Sequence, residues 1–405
     1  MDFGFINGTN IPFTNNDPYS GTFIIGRKHA EKNRLVSRLL LENIHVGHGC
    51  ILFDAYGQVS QTVLRRIPPN RWNDVILVRP YEGWPVSVNP FYNIPPERHS
   101  LVARRTLATF KNIYYPNAQI ATTTFDDYIT YGMGAILESR EPTLLSLMRF
   151  FSDKSFRQGI VRKLNSPILK TFWENNFENK TEKLKEESTQ STLTKLRAIV
   201  FDPAIRNILG QYKPTIELQK VFDKILIVDL SISKIGIENT KLLGSLLMSE
   251  LQHAILSRTG DPYYCYVVGC KSDYFAQHTM VQMLDTPEEC KTAFVFADTY
   301  LADMDRSLQN ALLGTAENLV CFRIGVRDAA ELLPEFEPDN TRPSLFELCP
   351  HQPRIRSGLL NEYARVPELD YPVFESKEVI NRSQEKYGKN PKYIDQTFRK
   401  FMKVS

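Results

Sequence analysis

At 405 residues, 42% hydrophobic and 23% charged, the chain is long enough for one large α/β domain with a helical domain attached. A formal net charge of +3 carries no global nucleic-acid signature, and no apolar run approaches the ~20 residues that a membrane-spanning helix needs. The polar start MDFGFINGTNIPFTNND has no basic-then-apolar export pattern, and six cysteines without a CxxC pair suit buried thiols rather than zinc, so a cytoplasmic protein is expected.

The first predicted elements are a short strand, Phe23-Ile24-Ile25, the segment Gly26-Arg27-Lys28-His29-Ala30-Glu31-Lys32-Asn33, and an apolar helix to about Leu41. A phosphate-binding loop reads G-x-x-x-x-G-K-[ST] between a strand and a helix. Gly26 and Lys32 are in register with it, but Glu31 replaces the second glycine and Asn33 the hydroxyl residue. Glu31 is the most damaging change, because a Cβ strains the turn and a carboxylate repels phosphate. Two like charges at 4 Å cost about 4 kcal/mol at an effective dielectric of 20, or about three decades of affinity. Asn33 offers a carbonyl oxygen where a hydroxyl would meet Mg²⁺.

A second buried strand ends in Asp54, with Gly57 just beyond, and Asn89-Pro90 follows after VLRRIPPNRWNDVILVRP. His45 and His48 read as residues of the turn before that strand, a metal pair being the alternative. Residues from about 20 to 100 thus alternate strand and helix, as in a mostly parallel sheet. From 101 to 215 helical periodicity dominates, in LVARRTLATFKNIYY, DDYITYGMGAILES, TLLSLMRFFSD, PILKTFWENNF and TLTKLRAIV. The polar run ENKTEKLKEESTQS is expected to span a helix end or bend between helices. From 216 to 332 the sheet resumes with KILIVDL, YYCYVVGC, TAFVFAD and NLVCFRI. From 333 to 405 we expect an extended Pro-rich segment and then a basic helix.

The order and spacing of these segments resemble the HerA/FtsK-type DNA-translocating ATPases, nearest the ATPase domain of TraG/TraD-like type IV secretion coupling proteins. DPAIRNILGQ, KILIVDLSISKIGIENTKLLGSLLMSELQ, NLVCFRIGVRDA and NRSQEKYGKNP fall in family order. The resemblance implies a RecA-like P-loop NTPase fold, α/β with a mostly parallel central sheet and an inserted all-helical domain. It puts the Asp-Glu of the second catalytic motif where this chain has Val268 and Gly269, and a glutamine sensor at Ala297-Asp298-Thr299. Arg323 matches an arginine that reaches a neighbouring subunit's nucleotide, an ordinary surface ion pair being the alternative. Asp54 and Asp229 each end an apolar strand, either as common strand ends or as substitute Mg²⁺ ligands.

Glu31, Asn33, Val268 and Gly269 depart from the family pattern together, so the expectation is a pseudo-ATPase: no catalytic residues, no metal and no required cofactor. Lys32 leaves room for weak ATP/Mg²⁺ binding. Such a chain would act as a DNA- or partner-binding scaffold or ring subunit, homo- or hetero-oligomeric, alongside an active ATPase paralogue or other subunits of a transfer complex. The alternative is an active, divergent DNA-translocating ATPase. Lys386, Lys389, Lys392, Arg399 and Lys400, with interleaved aromatics, could contact a nucleic-acid backbone. Alternatively, Ile394, Phe398 and Phe401 form one face of an amphipathic helix docking on a neighbouring subunit.

Overall fold

The computed structural model describes residues 2–6, 12–14, 17, 19, 21–27, 30–115, 122–258, 264–275, 277–284, 289–336, 344–349 and 352–402. The chain divides into two compact units. The sheet unit holds Met1–Arg79, Leu218–Gly236 and Met248–Lys386, and the helical unit holds Pro80–Glu217, Ile237–Leu247 and Tyr387–Ser405.

The sheet unit carries β1 (Asp2–Ile6), β2 (Pro12–Thr14), β3 (Thr22–Ile25), β4 (Gly49–Asp54), β5 (Val75–Val78) and β6 (Ile225–Asp229). It continues with β7 (Cys265–Cys270), β8 (Thr292–Asp298), β9 (Asn318–Cys321), β10 (Arg354–Ser357) and β11 (Leu360–Arg365). All belong to one 11-stranded sheet, in the order β2-β1-β11-β10-β9-β3-β8-β7-β4-β6-β5. The run β9-β3-β8-β7-β4-β6-β5 is parallel throughout. Its strands are continuous apolar stretches such as ILIVD and CILFD, buried along their whole length, as strands covered on both faces require. The helix Ala30–Val46 follows β3, with Glu31 in its first turn, a charge that suits the helix dipole. It ends at Gly47, whose φ of 103° is the left-handed conformation of a helix stop.

The flank β10-β11-β1-β2 is antiparallel and went unread in the sequence. The segment expected to be extended supplies the hairpin of β10 and β11, so it lengthens the sheet. In β1, a Cβ on Gly4 would lie 2.3 Å from the Arg365 carbonyl oxygen, so only glycine fits there.

In the helical unit, the long helices are His99–Tyr114, Thr123–Leu137, Leu144–Ser152, Lys154–Val161 and Glu182–Phe201, with Pro391–Met402 from the C-terminal stretch. Thr143, Asp153 and Thr181 cap three of them, each accepting a backbone N–H three residues on. The core is aromatic. Trp173 is fully buried, with Phe150 and Phe177 edge-on at 4.7 and 5.0 Å and Tyr128 stacked at 6.3 Å. The polar run ENKTEKLKEESTQS spans a helix end: the helical turn Phe172–Phe177 stops just before it, residues 178–180 turn, and Thr181 caps a helix that runs to Phe201. Its charge is absorbed locally, because Glu178 takes both Arg157 and Lys185 at 2.9 Å. Asn89, of the Asn-Pro pair, braces this unit by donating to the Pro142 and Tyr212 carbonyls at 3.0 and 2.8 Å.

Candidate functional site: the carboxyl edge of the parallel sheet

Strand register gathers the candidate residues at one edge of the sheet. Ile25 lies opposite Asp298 and Cys321, Cys270 opposite Ala297 and Asp54, and Asp54 opposite Asp229. Ligands of open α/β sheets bind outside such carboxyl ends. Of the loop that follows β3, Lys28 and His29 lie outside the described residues.

Gly26 is buried and continues the pairing of β3, donating its N–H to the Asp298 carbonyl at 3.1 Å, while Arg27 N–H reaches the Arg323 carbonyl at 3.0 Å. A Cβ on Gly26 would stand 2.5 Å from the Phe322 Cβ. Close packing against β9's end therefore requires this glycine, whether or not a phosphate is bound.

Lys32 is 5% exposed, and its ammonium is turned inward. Lys32 Nζ donates to the Gly26 carbonyl at 2.8 Å, the Asp298 carbonyl at 2.6 Å and Thr299 Oγ1 at 3.4 Å. Those acceptors occupy the donors that would otherwise meet a phosphate. Asn33 Nδ2 donates to Gln58 Oε1 at 2.7 Å. Glu31 is buried in the first helical turn. What remains between Lys32, Asn33, Asp54, Gln58, Cys270 and Lys271 is a cavity of about 20 Å³. That is room for about one water molecule.

Val268 and Gly269 lie inside β7, and Val268 belongs to the hydrophobic core. A Cβ on Gly269 would meet the Phe296 ring at 2.9 Å. The residues of β7 that reach the cavity are Cys270 at its end and Lys271 just after. Neither was singled out in the sequence, where nothing marks how far β7 runs. Neither is a carboxylate. Lys271, with φ of 69°, bridges Asp273 at 2.7 Å and Asp303 at 2.6 Å. Burial alone would lower its pKa, but those two partners outweigh it and raise it.

Asp298 sets its carboxylate on the turn after β7. It accepts Ser272 N–H at 2.8 Å and the Ser272 hydroxyl. Burial, with Asp273 nearby, pushes its pKa up from 3.8 to about 7. The two strand-end carboxylates are also engaged. Asp54 accepts the N–H groups of Tyr56 and Ser60 at 3.0 and 2.9 Å, and burial raises its pKa. Asp229 pairs with Arg79 at 3.1 Å and accepts Ser231 Oγ at 3.0 Å. Gly57, with φ of 75°, sits where a Cβ would be 2.1 Å from Ser231 Oγ, so Asp54 and Gly57 together build a turn.

Arg323 is exposed just past β9 and forms no ion pair with the described residues. His45 and His48 rings bond the Leu41 carbonyl and Asn43 Oδ1 at 2.8 and 2.9 Å, and no metal-binding cluster occurs among the described residues. All six cysteines are free, and only Cys349 is exposed.

The C-terminal basic residues are spread over both units. Lys386, in the sheet unit, donates to the Asn73 carbonyl at 3.1 Å. Lys389, in the helical unit, donates to the Lys213 carbonyl at 3.1 Å, and Arg399 pairs with Asp395 at 2.8 Å. Lys392 and Lys400 are exposed. The helix Pro391–Met402 docks within the chain's own helical unit: Ile394 is buried, Phe398 lies under the Arg206 guanidinium at 4.5 Å, and the Phe401 carbonyl accepts Arg149 Nη1 at 2.6 Å.

The sequence matches no protein-family model and no curated protein. Solved structures do match. The bacterial conjugative coupling protein TrwBdeltaN70, trigonal form with sulphate, aligns with a TM-score of 0.66 at 11% identity, over 96% of this chain and 92% of that chain. The plasmid coupling protein TrwB in complex with ADP and Mg²⁺ gives 0.64 at 10% identity, over 90% and 89%. VirB4 of Thermoanaerobacter pseudethanolicus gives 0.55 at 12% identity, over 91% and 96%. Among the described residues no helix is long and apolar enough to cross a membrane. The chain therefore has the α/β, RecA-like P-loop fold of the TrwB coupling protein, at an identity that speaks for fold alone.

Proposed function

We propose that this chain is a pseudo-ATPase on the coupling-protein fold, acting as a DNA- or partner-binding scaffold or ring subunit of a DNA-transfer or DNA-processing complex. The observation that supports this reading is the inward engagement of the one cation in register with the motif. Lys32 is bonded to two backbone carbonyls beside a cavity of about 20 Å³. Hydrolysis also needs a carboxylate near the attacking water. Asp54 and Asp229 are committed to N–H groups, Ser231 and Arg79, while Cys270 and Lys271 hold the end of β7.

Two features fit a role beside other subunits. The solved relatives include coupling proteins, named as conjugative and plasmid-borne. Arg323 stands exposed past β9, where it could serve a neighbour's nucleotide in a mixed ring. The test is ATP turnover by the purified chain with Mg²⁺, with and without single- and double-stranded DNA. We expect no turnover, and no difference between the parent and Lys32→Ala. DNA-stimulated turnover abolished by Lys32→Ala would overturn the proposal in favour of an active, divergent translocase. Asp229 and Asp54 would then be the first carboxylates to replace.

A further inference from the structure

A second cavity lies away from the loop that follows β3. It is a cleft of about 530 Å³ within the helical unit, lined by one side of the helix Pro391–Met402, by Arg140–Ser146 and by Arg206–Lys213. Its volume falls in the range of roughly 300–1,000 Å³ typical of small-ligand sites. It is also strongly polarised. Arg140, Arg206, Lys213 and Lys389 line it, against the single carboxylate of Glu141.

None of those cations is paired with a carboxylate of the described residues. Arg206 holds its guanidinium over the Phe398 ring at 4.5 Å, and its buried Nε has no hydrogen-bond partner. Lys389 gives its ammonium only a carbonyl, that of Lys213, and burial without a counter-charge lowers its pKa. Such unneutralised charge in a half-enclosed cleft is costly unless an anion completes it. The Thr143-capped start of the helix Leu144–Ser152 lies on the same wall and adds a favourable dipole. The lining also holds four aromatic rings, Tyr212, Phe398, Phe401 and the 62% exposed Tyr393. Aromatic faces beside cations suit a ligand that is flat at one end and anionic at the other.

We infer that this cleft binds a nucleotide unit, its phosphate held by Arg140, Arg206, Lys213 and Lys389 and its base against Tyr393 and Tyr212. The unit comes either as a free nucleoside phosphate or as one residue of a single strand. The site is independent of the phosphate-binding loop, and it lies in the other unit of the chain. The charge of the basic C-terminal stretch is thereby put to use through Lys389, in the short segment before the helix Pro391–Met402.

The test uses the full chain, with thymidine monophosphate and a fluorescent oligothymidylate as probes, by calorimetry and anisotropy at physiological salt. Two variants alter exposed groups of the cleft: the double charge reversal Arg140→Glu, Lys213→Glu, and Tyr393→Ala. Unchanged melting temperatures establish that both fold. We expect at least a tenfold loss of affinity in the double variant with a shallower salt dependence, and a smaller loss in Tyr393→Ala with the salt dependence unchanged. Binding of the oligonucleotide and the mononucleotide together identifies a single strand as the source. Binding of the mononucleotide alone identifies a free nucleotide. The inference is overturned if neither probe binds, if the variants bind as the parent does, or if inorganic phosphate or polyglutamate binds as tightly as the nucleotide.

Discussion

Asp298 shows how one residue can read as a ligand-facing group in the sequence and serve the fold instead. Its carboxylate is spent on Ser272, and only its backbone carbonyl meets Lys32. Because its carboxyl is pushed up from 3.8 to about 7, chiefly by burial, the folded chain holds a proton there that the unfolded chain has released. Stability is therefore greatest below the unfolded value and is lost as pH rises through about 7. Asp298→Asn keeps the shape and an acceptor for Ser272 N–H but carries no charge. Its gain over the parent should be near zero at about pH 4 and reach on the order of 2–4 kcal/mol at about pH 8. Urea unfolding at both pH values measures this, and parallel profiles for parent and variant would refute it. Lys32→Ala acts in the opposite sense. It strips the donor from two buried carbonyls and should cost about 1–3 kcal/mol, a loss visible in the same unfolding experiment even though no turnover changes. A variant as stable as the parent would mean that the ammonium does not brace the loop.

At the scale of the element, β7 marks what the sequence could and could not reveal. Long apolar runs bounded by polar residues announced β3, β4, β6, β7, β8 and β9, and helical periodicity announced the helical unit, because period and burial are written residue by residue. The phosphate-binding loop was visible through Gly26 and Lys32 for the same reason: its signature is local. The end of β7 was not visible. Cys270 and Lys271 reach the cavity only because β7 pairs with β4 and β8 in a register that sequence does not print. Likewise β1, β2, β10 and β11 are short, polar or interrupted, and exist by pairing with one another across the full length of the chain. The helix Pro391–Met402 had its apolar face correctly marked by Ile394, Phe398 and Phe401, but the partner of that face could not be read. Register also makes a prediction. Glycine inside a strand normally gains about 0.5–1 kcal/mol on replacement by alanine, yet a Cβ at Gly269 meets Phe296 at 2.9 Å. Overpacking of that kind costs about 1–3 kcal/mol, so Gly269→Ala should lower the denaturation midpoint, and an unchanged or raised midpoint would show that β7 and β8 have room to spare. Gly269→Glu adds a carboxylate to the same place and should not fold. A second catalytic motif cannot then be restored at that position.

At the scale of the whole molecule, the two units have cores of different character. The sheet unit is held by aliphatic strands and the helix Ala30–Val46, and the helical unit by the aromatic cluster around Trp173. Each unit is assembled from three separate stretches of chain, so neither is a simple fragment, but each buries its own apolar surface. Units with their own cores unfold as distinct cooperative transitions. Trp173→Ala removes the largest fully buried side chain of the helical unit, a change worth about 3–5 kcal/mol. At roughly 2–4 °C per kcal/mol for units of this size, calorimetry should see one transition fall by about 6–20 °C while the other stays in place. Asp298→Asn at about pH 8 should move the other transition upward and leave the first. A single transition displaced as a whole by either variant would mean that the chain folds as one body. The cleft beneath the helix Pro391–Met402 offers an internal control. A nucleotide bound there should raise only the transition that Trp173→Ala lowers, since binding to one unit's native state stabilises that unit by mass action.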